Sequence, residues 1–235
     1  MEGFHFLHPP FDERMTKMDT EQQVLEVIKN RKSIRKYKPD PVPREKIELL
    51  LEAARWAPSG ENAQPWRFII VEDKEKIKAM GKVAAMADRR QFSAEFAAGE
   101  TEKRLKKIKD PKKRRKIMEK LTGGHVSSFL ENAPMVIIVC GRKDVWDLPY
   151  DCSAAIENIL IMAVAAGLGT CWVESPVMDV RDEEKIKEML QVPKSFKVLT
   201  AISVGYPDES PKPRPRLSQE ELVFYEVFGR EGSHG

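Results

Sequence analysis

The chain has 235 residues, of which 41% are hydrophobic and 33% charged, and its formal net charge is +3. This length and apolar content suit one domain with a single sizeable core, and a small net charge on a surface of mixed sign disfavours a dedicated polyanion binder. The sequence starts without a signal-peptide pattern and has no apolar run near the ~20 residues that span a bilayer, which predicts a cytoplasmic protein without membrane or nucleic-acid partners.

The start of the chain is predicted to be an arm followed by a helix. Residues 1–19 read as an irregular arm, and residues 20–235 read as a single domain. Thr20 and Gln23 form a capping-box pair in front of apolar residues at helical spacing. This first helix is therefore expected to begin at Thr20.

The remaining elements follow from apolar periodicity and from the glycines and prolines that interrupt it. In chain order they are a helix from Ile47 that Pro58 ends, a buried strand Trp66–Val71, a helix over 73–87, a charged segment over 100–121, a strand Met135–Val139, a helix over 151–166, a strand Leu168–Val173, a helix over 182–190 and a strand Lys197–Val204.

The helix over 151–166 has almost no polar face, so it is predicted to be buried on every side, in a core or a subunit interface. Gly167 is suited to end it in the left-handed conformation. Residues 206–235 form a proline-rich C-terminal extension, and its apolar end, Leu222–Phe228, suits docking onto another subunit.

Three cysteines, Cys140, Cys152 and Cys171, lie in apolar surroundings without CxxC spacing, so they are predicted to be buried thiols rather than a disulfide or zinc site. Trp146 and Trp172 are predicted to be core residues or pocket walls. No HExxH, DxDxDG, GxSxG, GxGxxG or Walker pattern occurs, and His125 is the one histidine away from the termini. Neither a metal site nor a histidine-based triad is expected.

The segment 100–121 carries a run of lysines and arginines interrupted by Pro111. Three interpretations remain open: a solvated helical excursion, a lid that closes over a substrate, or a nucleic-acid contact, which the lack of interleaved aromatic residues disfavours. Its cations are Lys103, Arg104, Lys106, Lys107, Lys109, Lys112, Lys113, Arg114, Arg115, Lys116 and Lys120.

Two short stretches together indicate a cofactor with a phosphate and a flat ring. Arg31-Lys32-Ser33-Ile34-Arg35 places guanidinium groups and a hydroxyl where the first helix runs out, and such groups hydrogen-bond a phosphate. The turn from Pro58 to Trp66 offers the amides of Asn62 and Gln64, which suit the edge of a heterocycle, and Gly60 permits close backbone approach.

The chain resembles the FMN-dependent nitroreductase superfamily. The resemblance rests on four ordered motifs: RKSIR at 31–35, APSGENAQPWRF at 57–68, the apolar helix DCSAAIENILIMAVAAGLGT at 151–170 and VGYPDESPKPRPR at 204–216. It implies an α+β fold with a central mixed, mostly antiparallel sheet flanked by helices, and a homodimer in which the C-terminal segment is exchanged and FMN lies at the interface.

The resemblance also implies site residues. Arg31, Ser33 and Arg35, with Lys32 beside them, would hold the phosphate and ribityl end of FMN, and Arg214 and Arg216 would form a late basic pair at the phosphate. Asn62 would hydrogen-bond the pyrimidine side of the ring. Pro58 and Ser59 would reach the flavin of the partner subunit, and Val173, Glu174 and Ser175 would pass the ring near its reactive nitrogen.

The implied activity is hydride transfer from NAD(P)H to FMN, followed by reduction of a nitroaromatic, quinone or similar electron-poor acceptor, with no catalytic side chain required. Two alternatives remain. One is a specialised relative that dehalogenates reductively or degrades the flavin, with a lid and another electron donor. The other is a non-catalytic basic interaction protein that keeps the fold.

Overall fold

The structure, a computed structural model, describes residues 17–229, so predictions for residues 1–16 and 230–235 lie outside the described residues. Its elements are α1 (Lys17–Asn30), α2 (Arg44–Arg55), β1 (Trp66–Val71), α3 (Lys74–Ala97), α4 (Glu100–Leu105), α5 (Pro111–Thr122), β2 (Met135–Arg142), α6 (Leu148–Ala165), β3 (Gly169–Val173), α7 (Val180–Leu190), β4 (Phe196–Gly205) and α8 (Gln219–Leu222).

The four described strands form one sheet in the order β1-β2-β4-β3, and all neighbouring strands are antiparallel. A parallel bridge between Ser33 and Thr170 adds the segment after α1 to the β3 edge. The prediction of a mixed, mostly antiparallel sheet flanked by helices is therefore confirmed. Exchange of the C-terminal segment between subunits stays a prediction.

Helices cover both faces of the sheet, because the central strands β2 and β4 bury side chains on each side. On one face α2 and α6 pack against Ile137 and Ile202. On the other face α3 and α7 pack against Val136 and Ile138. The two apolar layers cover opposite faces of the sheet. They hold the edge strand β3 in place, and the segment 31–35 lies along that strand.

Within the described subunit, helix α6 is fully buried on one face only. Cys152, Ile156 and Ile159 are buried in the core, whereas Ile161 and Val164 on the opposite face are only partly buried. By length and composition alone, α6 is the one described helix apolar enough to cross a membrane. The buried face of α6 contributes its apolar side chains to the core. Whether the partly buried face contacts a second subunit stays a prediction.

Three local predictions were wrong. The first helix is already formed at Lys17, so Thr20 lies inside it and does not cap it. The helix predicted over 73–87 continues to Ala97, although its apolar periodicity fades after residue 87. Trp146 is 94% exposed in the described subunit and is therefore not a core residue.

The charged segment forms a pair of short helices, α4 and α5, that contact α3, so it is a helical excursion, and its role as a lid stays a prediction. Asp110 caps α5 through the backbone N–H groups of Lys112 and Lys113. All three cysteines are buried and free, as predicted. Burial raises the pKa of the Cys140 and Cys152 thiols to about 12, and it also raises the pKa of Cys171.

Candidate functional site

The segment 31–35 runs along the open edge of β3. The backbone N–H of Ile34 donates to the carbonyl of Thr170 at 2.9 Å, and the buried Ile34 side chain lies directly against Gly169, where an added Cβ would come within 2.9 Å of it. Because side chains alternate along an extended chain, anchoring Ile34 inward turns Ser33 and Arg35 to the other side. The sheet edge therefore presents these two polar side chains together.

A second segment, residues 206–216, returns to the same edge; we call it the C-terminal strap. Lys38 N–H donates to the carbonyl of Tyr206, and Asp208 N–H donates to the carbonyl of Lys36, both at 2.9 Å. A carboxylate oxygen of Glu209 then accepts the backbone N–H groups of Arg35 at 2.5 Å and Lys36 at 3.1 Å. The strap is thus held beside the segment 31–35.

These two segments enclose a cavity of about 710 Å³, which we call the basic cavity. In the part of the chain that the structure describes, no carboxylate lies within ion-pair distance of the side chains of Lys32, Arg35, Arg214 or Arg216, and Arg31 reaches Glu157 only at 3.7 Å. Glu157 also lines this cavity, but basic side chains outnumber it, and such an excess of cations favours an anion. Its polar lining includes Arg31, Lys32, Ser33, Arg35, Arg214 and Arg216.

A smaller cavity of about 350 Å³ adjoins the basic cavity and shares Arg35 with it. Its walls include Phe129, Trp172 and the segment Val173–Ser175 at the end of β3. The Arg35 guanidinium lies over the Phe129 ring, 5.7 Å from its centroid. Apolar and aromatic walls with a few polar groups suit a flat, partly polar ring system.

A buried carboxylate forms part of the wall of the smaller cavity. Asp88, on α3, is only 2% exposed. One of its carboxylate oxygens accepts the backbone N–H of Ser127 at 2.6 Å, and the other accepts the hydroxyl of Ser175 at 2.7 Å. The hydroxyls of Ser127 and Ser175 lie 2.8 Å apart. The network joins α3 to the end of β3 and to the chain after α5.

The turn after α2 lies elsewhere. Pro58, Ser59 and Asn62 line neither of these two cavities within the described subunit. The Ser59 hydroxyl accepts the backbone N–H of Gln64 at 3.0 Å, and Asn62 accepts the Gln64 side-chain amide at 3.0 Å. Asn62 has a φ of 54°, a left-handed conformation that these bonds help to hold.

The structure brings together nine of the twelve predicted site residues in the two cavities, and leaves Pro58, Ser59 and Asn62 outside them. Sequence reasoning missed Asp88 and Glu209. Asp88 follows Ile77, Met80 and Ala84 along the buried face of α3. An acidic residue at the next position of an apolar helical stripe is the pattern that could have identified it. Glu209 had no comparable signal, because its role depends on how the strap folds back.

Residues 28–206 match the model of the nitroreductase family. The chain is 31% identical over 214 residues to a putative NADH dehydrogenase/NAD(P)H nitroreductase of Archaeoglobus fulgidus, covering 89% of this chain and 93% of that protein. It is 34% identical over 212 residues to an iodotyrosine deiodinase of Thermotoga neapolitana, covering 88% and 100%. An FMN-dependent nitroreductase structure from Clostridium difficile matches with a TM-score of 0.65 and 29% identity, covering 87% of this chain and 99% of that one.

Proposed function

The chain belongs to the nitroreductase family, and from that premise we propose that it is an FMN-dependent oxidoreductase. It takes hydride from NAD(P)H and reduces an electron-poor small molecule such as a nitroaromatic compound or a quinone. The cytoplasm, where NAD(P)H is available, is its proposed location.

The observation that carries this proposal is the convergence of cations from two distant segments on one cavity. The donor set fits the phosphate of FMN, because guanidinium forks and a serine hydroxyl give charged hydrogen bonds to phosphate oxygens. The adjoining smaller cavity supports the same assignment, since Phe129 and Trp172 give it the apolar walls that a flavin ring requires. Arg35 lines both cavities and would lie where the two parts of FMN meet.

Each predicted site residue keeps a proposed role. Arg31, Lys32, Ser33 and Arg35 would bind the phosphate and ribityl end of FMN, together with Arg214 and Arg216 from the strap. Val173, Glu174 and Ser175 would border the ring through backbone groups. The remaining residues of the set, namely Pro58, Ser59 and Asn62, belong to the turn after α2.

FMN, when bound, supplies the hydride chemistry, so the chain needs no acid or base side chain for the transfer itself. The cations of the basic cavity orient the cofactor by its phosphate. The Arg35 guanidinium, at the junction of the cavities, stabilises additional negative charge on the ring electrostatically. Phe129 and Trp172 would give the ring an apolar surface to pack against. We propose that donor and acceptor use the site in turn.

The proposed assembly is a homodimer in which Pro58 and Ser59 reach the FMN of the partner subunit. Large apolar side chains exposed on this subunit support the proposal. Trp56, beside the turn, is 74% exposed, and Phe228, at the end of the apolar C-terminal stretch, is 92% exposed. Exposed apolar patches of this kind mark interaction surfaces. Sedimentation of the purified protein should give twice the mass of one chain, and a monomer would contradict the assignment of Pro58 and Ser59.

Reductive dehalogenation is a second candidate function. It is favoured by the similarity to the deiodinase of Thermotoga neapolitana over nearly the whole chain. It is also favoured by the position of α5, because the chain that leaves α5 contributes Val126, Ser127 and Phe129 to the wall of the smaller cavity. A movement of α4 and α5 would therefore reach the cavity directly, as a lid requires.

The proposal is tested by reconstituting the purified protein with FMN and measuring both FMN affinity and NAD(P)H oxidation. A nitroarene, a quinone and a halogenated phenol serve as acceptors. The proposal expects tight FMN binding and NAD(P)H-dependent turnover of the first two. Turnover confined to the halogenated phenol, with the FMN reduced by dithionite if NAD(P)H does not reduce it, favours the second candidate. For variants that remove an arginine from the basic cavity, the control is Arg44→Ala, which removes an exposed arginine paired with Glu48. Failure of the wild-type protein to bind FMN contradicts both candidates.

A further inference from the structure

We propose that Asp88 is a positioning residue that sets the relative affinity of the site for oxidised and reduced FMN. The inference rests on the proposed function, because it takes the smaller cavity as the binding site of the flavin ring. Asp88 lines that cavity, although a buried carboxylate is costly and no assigned part of the FMN site requires one there. Its position therefore points to an electrostatic role.

The hydrogen bonds of Asp88 hold its carboxylate in one orientation. The Ser127 N–H and the Ser175 hydroxyl bind different carboxylate oxygens, at 2.6 and 2.7 Å. The Ser127 hydroxyl lies 3.3 Å from the oxygen that Ser175 binds and 2.8 Å from the Ser175 hydroxyl. An ionised carboxylate accepts and does not donate, so this arrangement of donors suits a charged Asp88. The charge is fixed in the cavity wall, where solvent screens it little.

Three charged residues line the smaller cavity: Arg35 on the segment 31–35, Asp88 on α3 and Glu174 just after β3. Glu174 is exposed, so solvent screens its charge, whereas the charge of Asp88 is buried. Reduction adds electron density to a flavin ring, and charge near the ring tunes this step. Arg35 favours the reduced form, and Asp88 opposes it. Ser175 moderates the effect of Asp88, because its hydroxyl neutralises part of the carboxylate charge.

The test measures the midpoint potential of bound FMN by anaerobic spectroelectrochemical titration, together with the affinity for oxidised FMN. Asp88→Asn removes the charge and keeps the side-chain shape. We expect it to raise the affinity for reduced relative to oxidised FMN about tenfold, which is about 30 mV for a two-electron couple. Ser175→Ala removes a hydrogen-bond donor and leaves the carboxylate less neutralised, so we expect a shift of opposite sign.

The matched control is Glu75→Gln, which removes one negative charge from the first turn of the same helix. It should leave the potential unchanged. A purely structural role of Asp88 would weaken FMN binding without opposite shifts in potential, so equal, same-sign or absent shifts in the two variants overturn the inference. If Asp88→Asn does not fold, Ser175→Ala decides alone: a lowered potential supports the inference, and an unchanged or raised one overturns it. Loss of FMN binding by the wild-type protein would instead refute the proposed function.

Discussion

Glu209 offers a sharp test of how the basic cavity is assembled, because its two possible effects on FMN binding have opposite signs. Its carboxylate accepts the backbone N–H groups of Arg35 and Lys36 and so ties the strap to the segment 31–35. The same carboxylate is a negative charge close to residues proposed to bind a phosphate. Loss of the tie should weaken FMN binding, whereas loss of the charge alone should strengthen it.

The expected loss of FMN affinity in Glu209→Ala follows from the strength of these hydrogen bonds and from the burial of Glu209. Hydrogen bonds to a charged group contribute about 1.5–3 kcal/mol, and the lower end applies because Glu209 is only partly buried. Glu209→Ala removes the tie that holds the strap with Arg214 and Arg216 in place. Part of the free energy of FMN binding is then spent on ordering the strap. Since about 1.4 kcal/mol corresponds to a factor of ten in Kd, we expect FMN to bind about tenfold more weakly.

Glu209→Gln is the matched variant, because it removes the charge and keeps an oxygen that accepts the two backbone N–H groups. We expect its FMN affinity to equal or exceed that of the wild-type protein. The assay is the quenching of FMN fluorescence during titration with apoprotein. If Glu209→Ala binds FMN as tightly as Glu209→Gln, the strap does not depend on this carboxylate and the reasoning is refuted.

Three further predictions concern the cavity, the thiols and the sheet. Arg35→Ala and Arg216→Ala should each weaken FMN binding by about 1.5–3 kcal/mol, the range for charged hydrogen bonds, and unchanged affinity in both variants would remove the phosphate assignment. Burial raises the pKa of the Cys140 and Cys152 thiols from an ordinary value of 9.0 to about 12 in the folded state. Above pH 9 the unfolded chain loses these protons first, so the free energy of unfolding should fall between pH 9 and 12, by up to about 4 kcal/mol per thiol at 1.36 kcal/mol per pKa unit. Chemical denaturation across this pH range should show a smaller decrease in Cys140→Ala and Cys152→Ala. Gly205→Ala would place a Cβ 2.7 Å from a proline ring, so it should cost about 1–3 kcal/mol in urea unfolding; an unchanged midpoint would show that this contact relaxes freely.

Most of the secondary structure could be predicted from local pattern, because apolar periodicity and prolines mark the elements directly. Helix α2 ends before Pro58 and β1 spans Trp66–Val71, as the sequence predicts. The errors occur where tertiary contacts override the local signal. Helix α3 continues past residue 87, where it contacts segments distant in sequence, as Asp88 does with Ser127 and Ser175.

Some residues of the candidate site can likewise be recognised from local sequence, whereas others depend on contacts between distant segments. The short motif at 31–35 reveals its cations by itself, and the family resemblance adds Arg214 and Arg216. Their meeting in one cavity depends on the antiparallel pairing of the strap with residues 36–38, which no local pattern encodes. Glu209 and Asp88 act through contacts between distant segments, so their roles become visible only in the folded chain.

The central claim, that this chain is an FMN-dependent NAD(P)H oxidoreductase, is tested most directly by anaerobic stopped-flow absorbance of the FMN-reconstituted protein. The protein is mixed with NADPH, then in a separate experiment with NADH, and the reduced sample is mixed with a nitroarene or a quinone. The account predicts rapid bleaching of the flavin by at least one donor and reoxidation by the acceptor. Bound FMN that stays oxidised with both donors would contradict it.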